Sequence, residues 1–302
     1  MSAITLVDVS PRDGLQSEHQ ILPTASKVEL IRRLAAAGIR ALEATSFVNP
    51  KRVPQMADAA DVMAALNAEP MPGLNRIGLA LNVKGCERAI DAGVDEVGFV
   101  LVSTDTFSQK NQGAPVSASI EIWKEFQRRC RDAGVRCNVL VASAFGCPFE
   151  GEVPADRVIE LADLLLEATP DTFGVADSIG VGVPRQMQTV ISRLAERVGD
   201  IPIRVHLHDT RNTGIANALT AIEYGATLVD ASTGGIGGCP FAPAATGNIA
   251  SEDLLYALNR SGIETGVDID AILETADWLE GELGHDVPSS LSRAGVFPRK
   301  VA

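Results

Sequence analysis

Two histidines two residues apart, in Arg204-Val205-His206-Leu207-His208-Asp209, have the spacing in this sequence best suited to chemistry. Side chains of an extended strand alternate between faces, so His206 and His208 project one way while Val205 and Leu207 project the other. Two imidazoles on one face suit a metal. With a carboxylate from Asp13 and the side-chain oxygen of Asn248 they make a mixed nitrogen and oxygen set, suited to Mg, Mn or a similar divalent ion more than to structural zinc. The bland alternative is a pair of satisfied histidines inside a protein core. Asp209 adjoins the pair but falls on the opposite face, so it reads as a loop or cap residue ahead of Asn212 and Gly214. His19 and His285 lack this setting and suit surface positions.

Around these ligands other side chains suit charge stabilisation and proton transfer. Arg12, beside Asp13, carries a permanent charge that can stabilise an enolate oxygen, or it is a salt bridge that orients Asp13. Cys239 sits in a run of glycines over 233–241, where the backbone can fold tightly and a thiol of shifted pKa can exchange protons; the same glycines would also suit a phosphate. Glu43 and Asp177 are strand-end carboxylates that either orient Arg12, a histidine or bound water, or form loop salt bridges. The other cysteines, Cys86, Cys130, Cys137 and Cys147, read as inert.

Eight repeats of one unit must hold these groups. Short β-branched runs at 4–9, 41–44, 76–81, 96–102, 136–142, 172–176, 203–208 and 228–232 alternate with amphipathic segments at 26–37, 53–66, 84–92, 119–133, 155–168, 184–197, 214–224 and 252–260. Several helices end in the same way, as in Ala37-Gly38-Ile39, Ala92-Gly93-Val94 and Ala133-Gly134-Val135, where Gly closes the helix and an apolar residue enters the next strand. No dinucleotide fingerprint follows the first strand, which favours a closed α/β barrel, (β/α)8, over an open doubly wound sheet. In such a barrel the βα loops at the C-terminal strand ends carry the active site, and the polar residues named above fall there. A further helix at 268–283 and the tail to 302 read as a C-terminal helical extension, 264–302, packed on a single domain of 1–302; fraying of the last fifteen or so residues is the other expectation.

Composition narrows the partners. A net charge of -13 argues against general affinity for nucleic acid or anionic membrane, and no apolar run reaches spanning length. Five cysteines form an odd set without a CxxC pair, so a disulfide framework is not indicated. With no cationic presegment at the N-terminus, a cytoplasmic location is expected.

Six segments in order resemble the 3-hydroxy-3-methylglutaryl-CoA lyases, metal-dependent TIM-barrel lyases. They are Ser10-Pro11-Arg12-Asp13-Gly14-Leu15-Gln16, Glu43-Ala44-Thr45-Ser46-Phe47-Val48 with Pro54-Gln55-Met56, Ala144-Phe145-Gly146-Cys147-Pro148, Asp177-Ser178-Ile179-Gly180-Val181-Gly182, His206-Leu207-His208-Asp209-Thr210, and Gly235-Ile236-Gly237-Gly238-Cys239-Pro240 through Gly247-Asn248. The resemblance implies cleavage of a 3-hydroxyacyl-CoA into a keto acid and acetyl-CoA, most directly 3-hydroxy-3-methylglutaryl-CoA to acetoacetate. CoA would enter as part of the substrate. By the same resemblance Asp13, His206, His208 and Asn248 hold the cation, Arg12 stabilises an enolate, Cys239 moves a proton, and Glu43 and Asp177 support the site, with His206 also relaying protons. A homodimer or higher homo-oligomer is implied too. The family commonly has Lys where His19 stands, and Tyr-Gly-Gln where this chain has Arg211-Asn212-Thr213. Both departures lie near the expected mouth, so a lyase for citramalyl-CoA or a longer-branched 3-hydroxyacyl-CoA is a rival. A Claisen-condensing acyltransferase of the isopropylmalate synthase type shares Arg-Asp-Gly and HxH but usually continues into long regulatory regions. A non-catalytic binding barrel would need a damaged site.

Overall fold

The computed structural model describes residues 4–238 and 247–298. Eight parallel strands close into a barrel: β1 (Thr5–Asp8), β2 (Ala41–Ser46), β3 (Asn75–Leu79), β4 (Glu96–Val102), β5 (Arg136–Ala142), β6 (Thr172–Asp177), β7 (Ile203–Leu207) and β8 (Ala226–Ala231). Each strand pairs with its sequence neighbours, and β1 pairs with β8 from Thr5↔Leu228 to Asp8↔Ala231, which closes the ring. This is the expected (β/α)8 TIM barrel.

Helices α1 (Thr24–Ala36), α2 (Ala59–Ala68), α3 (Val83–Asp91), α4 (Asp105–Gln112), α5 (Val116–Ala133), α6 (Ala155–Leu165), α7 (Pro184–Val198), α8 (Gly214–Glu223) and α9 (Ser251–Arg260) follow the strands. Their apolar residues recur at helical spacing and face the barrel. In α5 these are Ile120, Trp123, Phe126 and Cys130; in α7, Met187, Val190, Ile191, Leu194 and Val198. Each such side chain taken from water contributes about 1.5–3 kcal/mol, so the outer ring is held chiefly by burial.

Two elements differ from the sequence expectation. The helix expected over 53–66 divides into a short 3-10 turn at Pro54–Met56 and α2. Contacts from α1 hold the break: the Lys27 ammonium donates to the Gln55 carbonyl and to Asp58, both at 2.5 Å, and Thr24 Oγ1 donates to Asp58 at 2.7 Å. The polar stretch after β4 forms α4, which its weakly amphipathic sequence did not announce; Val116 N donates to Asp105 at 2.8 Å and joins α4 to α5.

Beyond α9, α10 (Ile269–Leu283) packs beside α1, and α11 (Ser290–Ala294) packs on α9. Asp253 accepts from the backbone of Ser290 and Leu291 at 3.0 and 2.6 Å, while Val287 and Leu291 are buried. Ser289 N donates to the Gly234 carbonyl at 3.0 Å, so this extension touches the loop after β8. Among the described residues no helix is long and apolar enough to cross a membrane.

Candidate active site

The β1 loop begins with a widened π-type turn over Ser10–Gly14, in which the Asp13 and Gly14 amides both donate to the Val9 carbonyl. Such turns recur at functional sites because they redirect side chains. Here the turn brings Arg12 and Asp13 over the C-terminal end of the barrel. Buried Asp8 anchors it, accepting from Ser10 N (2.9 Å), Ser10 Oγ (2.5 Å), Thr233 Oγ1 (2.7 Å) and Ser251 Oγ (2.7 Å). Burial pushes the Asp8 carboxyl up, and these four donors oppose the shift.

His206 on β7 and His208, the residue after its end, project together as their spacing requires, with their Nε2 atoms 3.3 Å apart. His206 Nε2 lies 3.9 Å from Asp13 Oδ2. The segment carrying Asn248 crosses the end of β7 as an antiparallel bridge to His208, fixed by Asp209 N to Gly247 O at 3.2 Å and Ile249 N to Leu207 O at 3.1 Å. That bridge puts the Asn248 amide against Asp13, where Nδ2 donates to Oδ2 at 2.9 Å. Close approach makes it possible: Gly237 has φ +111, and a Cβ there would strike the Asn248 amide.

Protonation in the cluster is set by burial and near charges. Burial and the neighbouring His206 bring His208 down to about 4, so its imidazole is neutral at pH 7. For His206 burial acts downward, but the hydrogen bond and charge of Asp230 raise it above the ordinary value. Burial acts upward on the Asp13 carboxyl, yet the Arg12 guanidinium and the Asn248 amide help hold it well below the usual carboxylate range. One ligand atom each from Asp13, His206 and His208 lies within 4.8 Å of the others, a group able to hold a metal ion. The buried Asn248 Oδ1 has no hydrogen-bond partner among the described residues. Two imidazoles, a carboxylate and a spare amide oxygen fit a divalent cation with positions left for further oxygen ligands.

Beneath the cluster lies an ion-pair network of which the sequence reading found only part. Glu43 accepts from Arg12 Nε at 2.6 Å, and the other end of the Arg12 guanidinium donates to Asp13. The second Glu43 oxygen accepts from Arg204 Nη2 at 2.8 Å, and Arg204 also grips Asp230 with Nε at 2.6 Å and Nη2 at 2.8 Å. Asp230 in turn accepts from His206 Nδ1 at 3.0 Å. Arg204 and Asp230 were missed as site residues. Arg204 shares the parity of His206 and His208 on one strand, which was a signal for it; Asp230 needed the register that sets β8 beside β7.

Asp177, grouped with Glu43 in the sequence reading, turns to its own loop and accepts from the Val181 and Gly182 amides at 3.0 and 2.8 Å. Burial raises its carboxyl against those bonds. Asp209 accepts from Gly214 N at 2.7 Å at the start of α8, in the capping place expected of it. Arg211 donates to the Ile179 and Gly180 carbonyls at 3.0 and 2.9 Å, tying the β7 loop to the β6 loop. Cys239 lies outside the described residues. A cavity of about 220 Å³ is lined by Ser17, Glu18, Gly237, Gly247, His285 and Pro288, at the foot of the glycine loop. A larger one, about 580 Å³ between α6 and α7, is lined by none of Asp13, His206, His208 and Asn248.

Residues 3–279 match the HMGL-like family model, over almost the whole barrel. The chain belongs to the HMGL-like family. An (R)-citramalyl-CoA lyase of Chloroflexus aurantiacus is 40% identical, the match covering 100% of this chain and 98% of that protein. The mitochondrial hydroxymethylglutaryl-CoA lyase of Gallus gallus is 38% identical, covering 96% and 97%. A solved structure described as an HMG-CoA lyase from Acinetobacter baumannii, in complex with coenzyme A and 3-methylmalate, has a TM-score of 0.94 at 35% identity, covering 99% of this chain and 97% of that one. This HMGL-like chain is therefore an enzyme, a lyase acting on a CoA substrate.

Proposed function

We propose that the protein is a divalent-metal-dependent carbon-carbon lyase that cleaves a branched 3-hydroxyacyl-CoA to acetyl-CoA and an oxo acid, with 3-hydroxy-3-methylglutaryl-CoA as its substrate and acetoacetate as the second product. The observation that carries this reading is the convergence of Asp13, His206 and His208 beside the buried Asn248 amide, with one permanently charged guanidinium, Arg12, at its edge. Asp13, His206, His208 and Asn248 would hold Mg or Mn. When bound, such an ion supplies Lewis acidity toward the substrate's tertiary hydroxyl.

In cleavage the hydroxyl proton passes to solvent, that carbon becomes a carbonyl, and the electron pair of the broken bond is left on the acetyl thioester as an enolate. Arg12, braced by Glu43, faces the place where this charge would develop and stabilises it without reorganising. His206, hydrogen-bonded through Nδ1 to Asp230, holds one tautomer and keeps Nε2 toward Asp13. A proton must return to the enolate carbon; we assign that step to Cys239 from its place after the glycine run. Asp177 acts on the site only through the loop it organises.

Citramalyl-CoA is the second reading, supported by the full-length relative of that name. Its free carboxylate sits one methylene closer to the hydroxyl-bearing carbon, a difference that a pocket distinguishes by about 10–200-fold. Acetyl-CoA release from the two esters with Mg or Mn, compared as kcat/KM, tests both. Release from the methylglutaryl ester at the higher kcat/KM supports the first reading, the reverse ranking supports the second, and no release from either refutes the lyase proposal.

A further inference from the structure

We propose that Arg204 is a positioning residue that locks the His206 imidazole and the Arg12 guanidinium to each other. It is buried inside the barrel, 3% exposed, and touches both carboxylates that orient the site. Its Nε and Nη2 donate to the two oxygens of Asp230 at 2.6 and 2.8 Å. The Asp230 oxygen shared with Nη2 accepts from His206 Nδ1 at 3.0 Å. The same Nη2 donates to Glu43 Oε1 at 2.8 Å, and Glu43 Oε2 accepts from Arg12 Nε at 2.6 Å. A continuous chain thus runs His206, Asp230, Arg204, Glu43, Arg12.

A carboxylate held at one oxygen can still turn about its last bond. Gripped at both oxygens by a planar fork it cannot, and the imidazole bonded to it inherits that orientation. Arg204 thereby fixes the direction of the His206 Nε2 lone pair. Through Glu43 it fixes the guanidinium on the far side of the cluster as well. A single residue of extended strand, Val205, separates Arg204 from His206, so their relative depth in the barrel is set by the backbone of β7. A lysine at 204 would keep the charge but lose the fork.

The proposal rests on the lyase reading of this site, but its first readout is metal binding alone. Mn2+ affinity, followed by the electron paramagnetic resonance of free Mn2+, is measured for wild type, Arg204→Lys and Arg204→Met, with circular dichroism and cooperative melting to establish folding. Both variants should bind Mn2+ at least about tenfold more weakly. With a cleavable ester, kcat should fall while KM stays within about twofold. Pairing Arg204→Lys with Asp230→Asn in a double-mutant cycle should give a combined loss in Mn2+ affinity smaller than the sum of the single losses. A folded Arg204→Lys protein with Mn2+ affinity and kcat within about twofold of wild type, even at a lower melting temperature, would assign Arg204 to stability alone and overturn the proposal. Additive losses in the cycle would also overturn it. If Arg204→Met does not fold, the lysine variant and the cycle still decide. If wild type cleaves no ester, the lyase reading falls while the Mn2+ comparison still judges Arg204.

Discussion

Replacing Glu43 by Gln tests the ion-pair network most directly. Its carboxylate is 4% exposed and accepts from two guanidiniums, Arg12 at 2.6 Å and Arg204 at 2.8 Å. The amide has nearly the same shape but a single acceptor, so one of the two arginines meets an N–H instead of an oxygen. A hydrogen bond to a charged group contributes about 1.5–3 kcal/mol, and the donor left facing a donor adds its own desolvation cost. Breaking one side of a buried ion pair costs about 3–5 kcal/mol in total, equivalent to roughly 6–20 °C in melting temperature for a chain of this size. Arg12 loses its brace, so kcat should fall about 10–100-fold. Glu69→Gln is the control: its partner Arg32 and Glu69 itself are 42% and 70% exposed, and the change should stay within about 0.5 kcal/mol. Thermal melts with matched urea titrations and steady-state kinetics measure both effects. A Glu43→Gln protein melting within about 2 °C of wild type with kcat unchanged would refute the network as drawn.

Two further changes probe the loop after β8 and the extension. In Gly247→Ala the new methyl would run into the carbonyls of Gly235 and Gly237, backbone atoms that cannot swing aside; a loss of about 1–3 kcal/mol and a lower kcat are expected, and wild-type values for both would contradict that packing. His285 titrates above its ordinary value because its ring bonds the Asp286 carbonyl and Glu18. A raised folded value means the stabilisation is complete below the unfolded pKa, about 6.5, and vanishes as pH rises through the folded pKa; screening of this exposed pair leaves about 0.3 kcal/mol. Proton NMR should show the His285 midpoint above that of an unfolded histidine and moving down in Glu18→Gln, and an unshifted midpoint would discard the pairing.

Local pattern carried much of the architecture into view. Strands are short and β-branched, helices close at glycines, and parity along β7 put His206 and His208 on one face before any partner was known. The α2 boundary was not legible because it depends on Lys27 and Thr24 reaching across from α1. Arg204 obeys the same parity as the histidines, but an arginine in an apolar strand declares itself only with its counter-ions, and Glu43 lies on β2, 161 residues away. Asp177 was the opposite case. Its oxygens are occupied by amides of its own loop, a fact of backbone conformation that residue type does not disclose.

Closure of β1 against β8 has a consequence for how the protein is made. Asp13 and Asn248 are 235 residues apart, and they meet only when the last strand has joined the first. Tethering points at that separation costs about 5 kcal/mol of chain entropy on the logarithmic dependence alone. A ribosome-bound chain still lacking its eighth repeat therefore has its histidine pair but neither Asn248 nor the Asp230 that orients His206. On the proposed metal role, cation affinity gained during synthesis would report that the ring is complete.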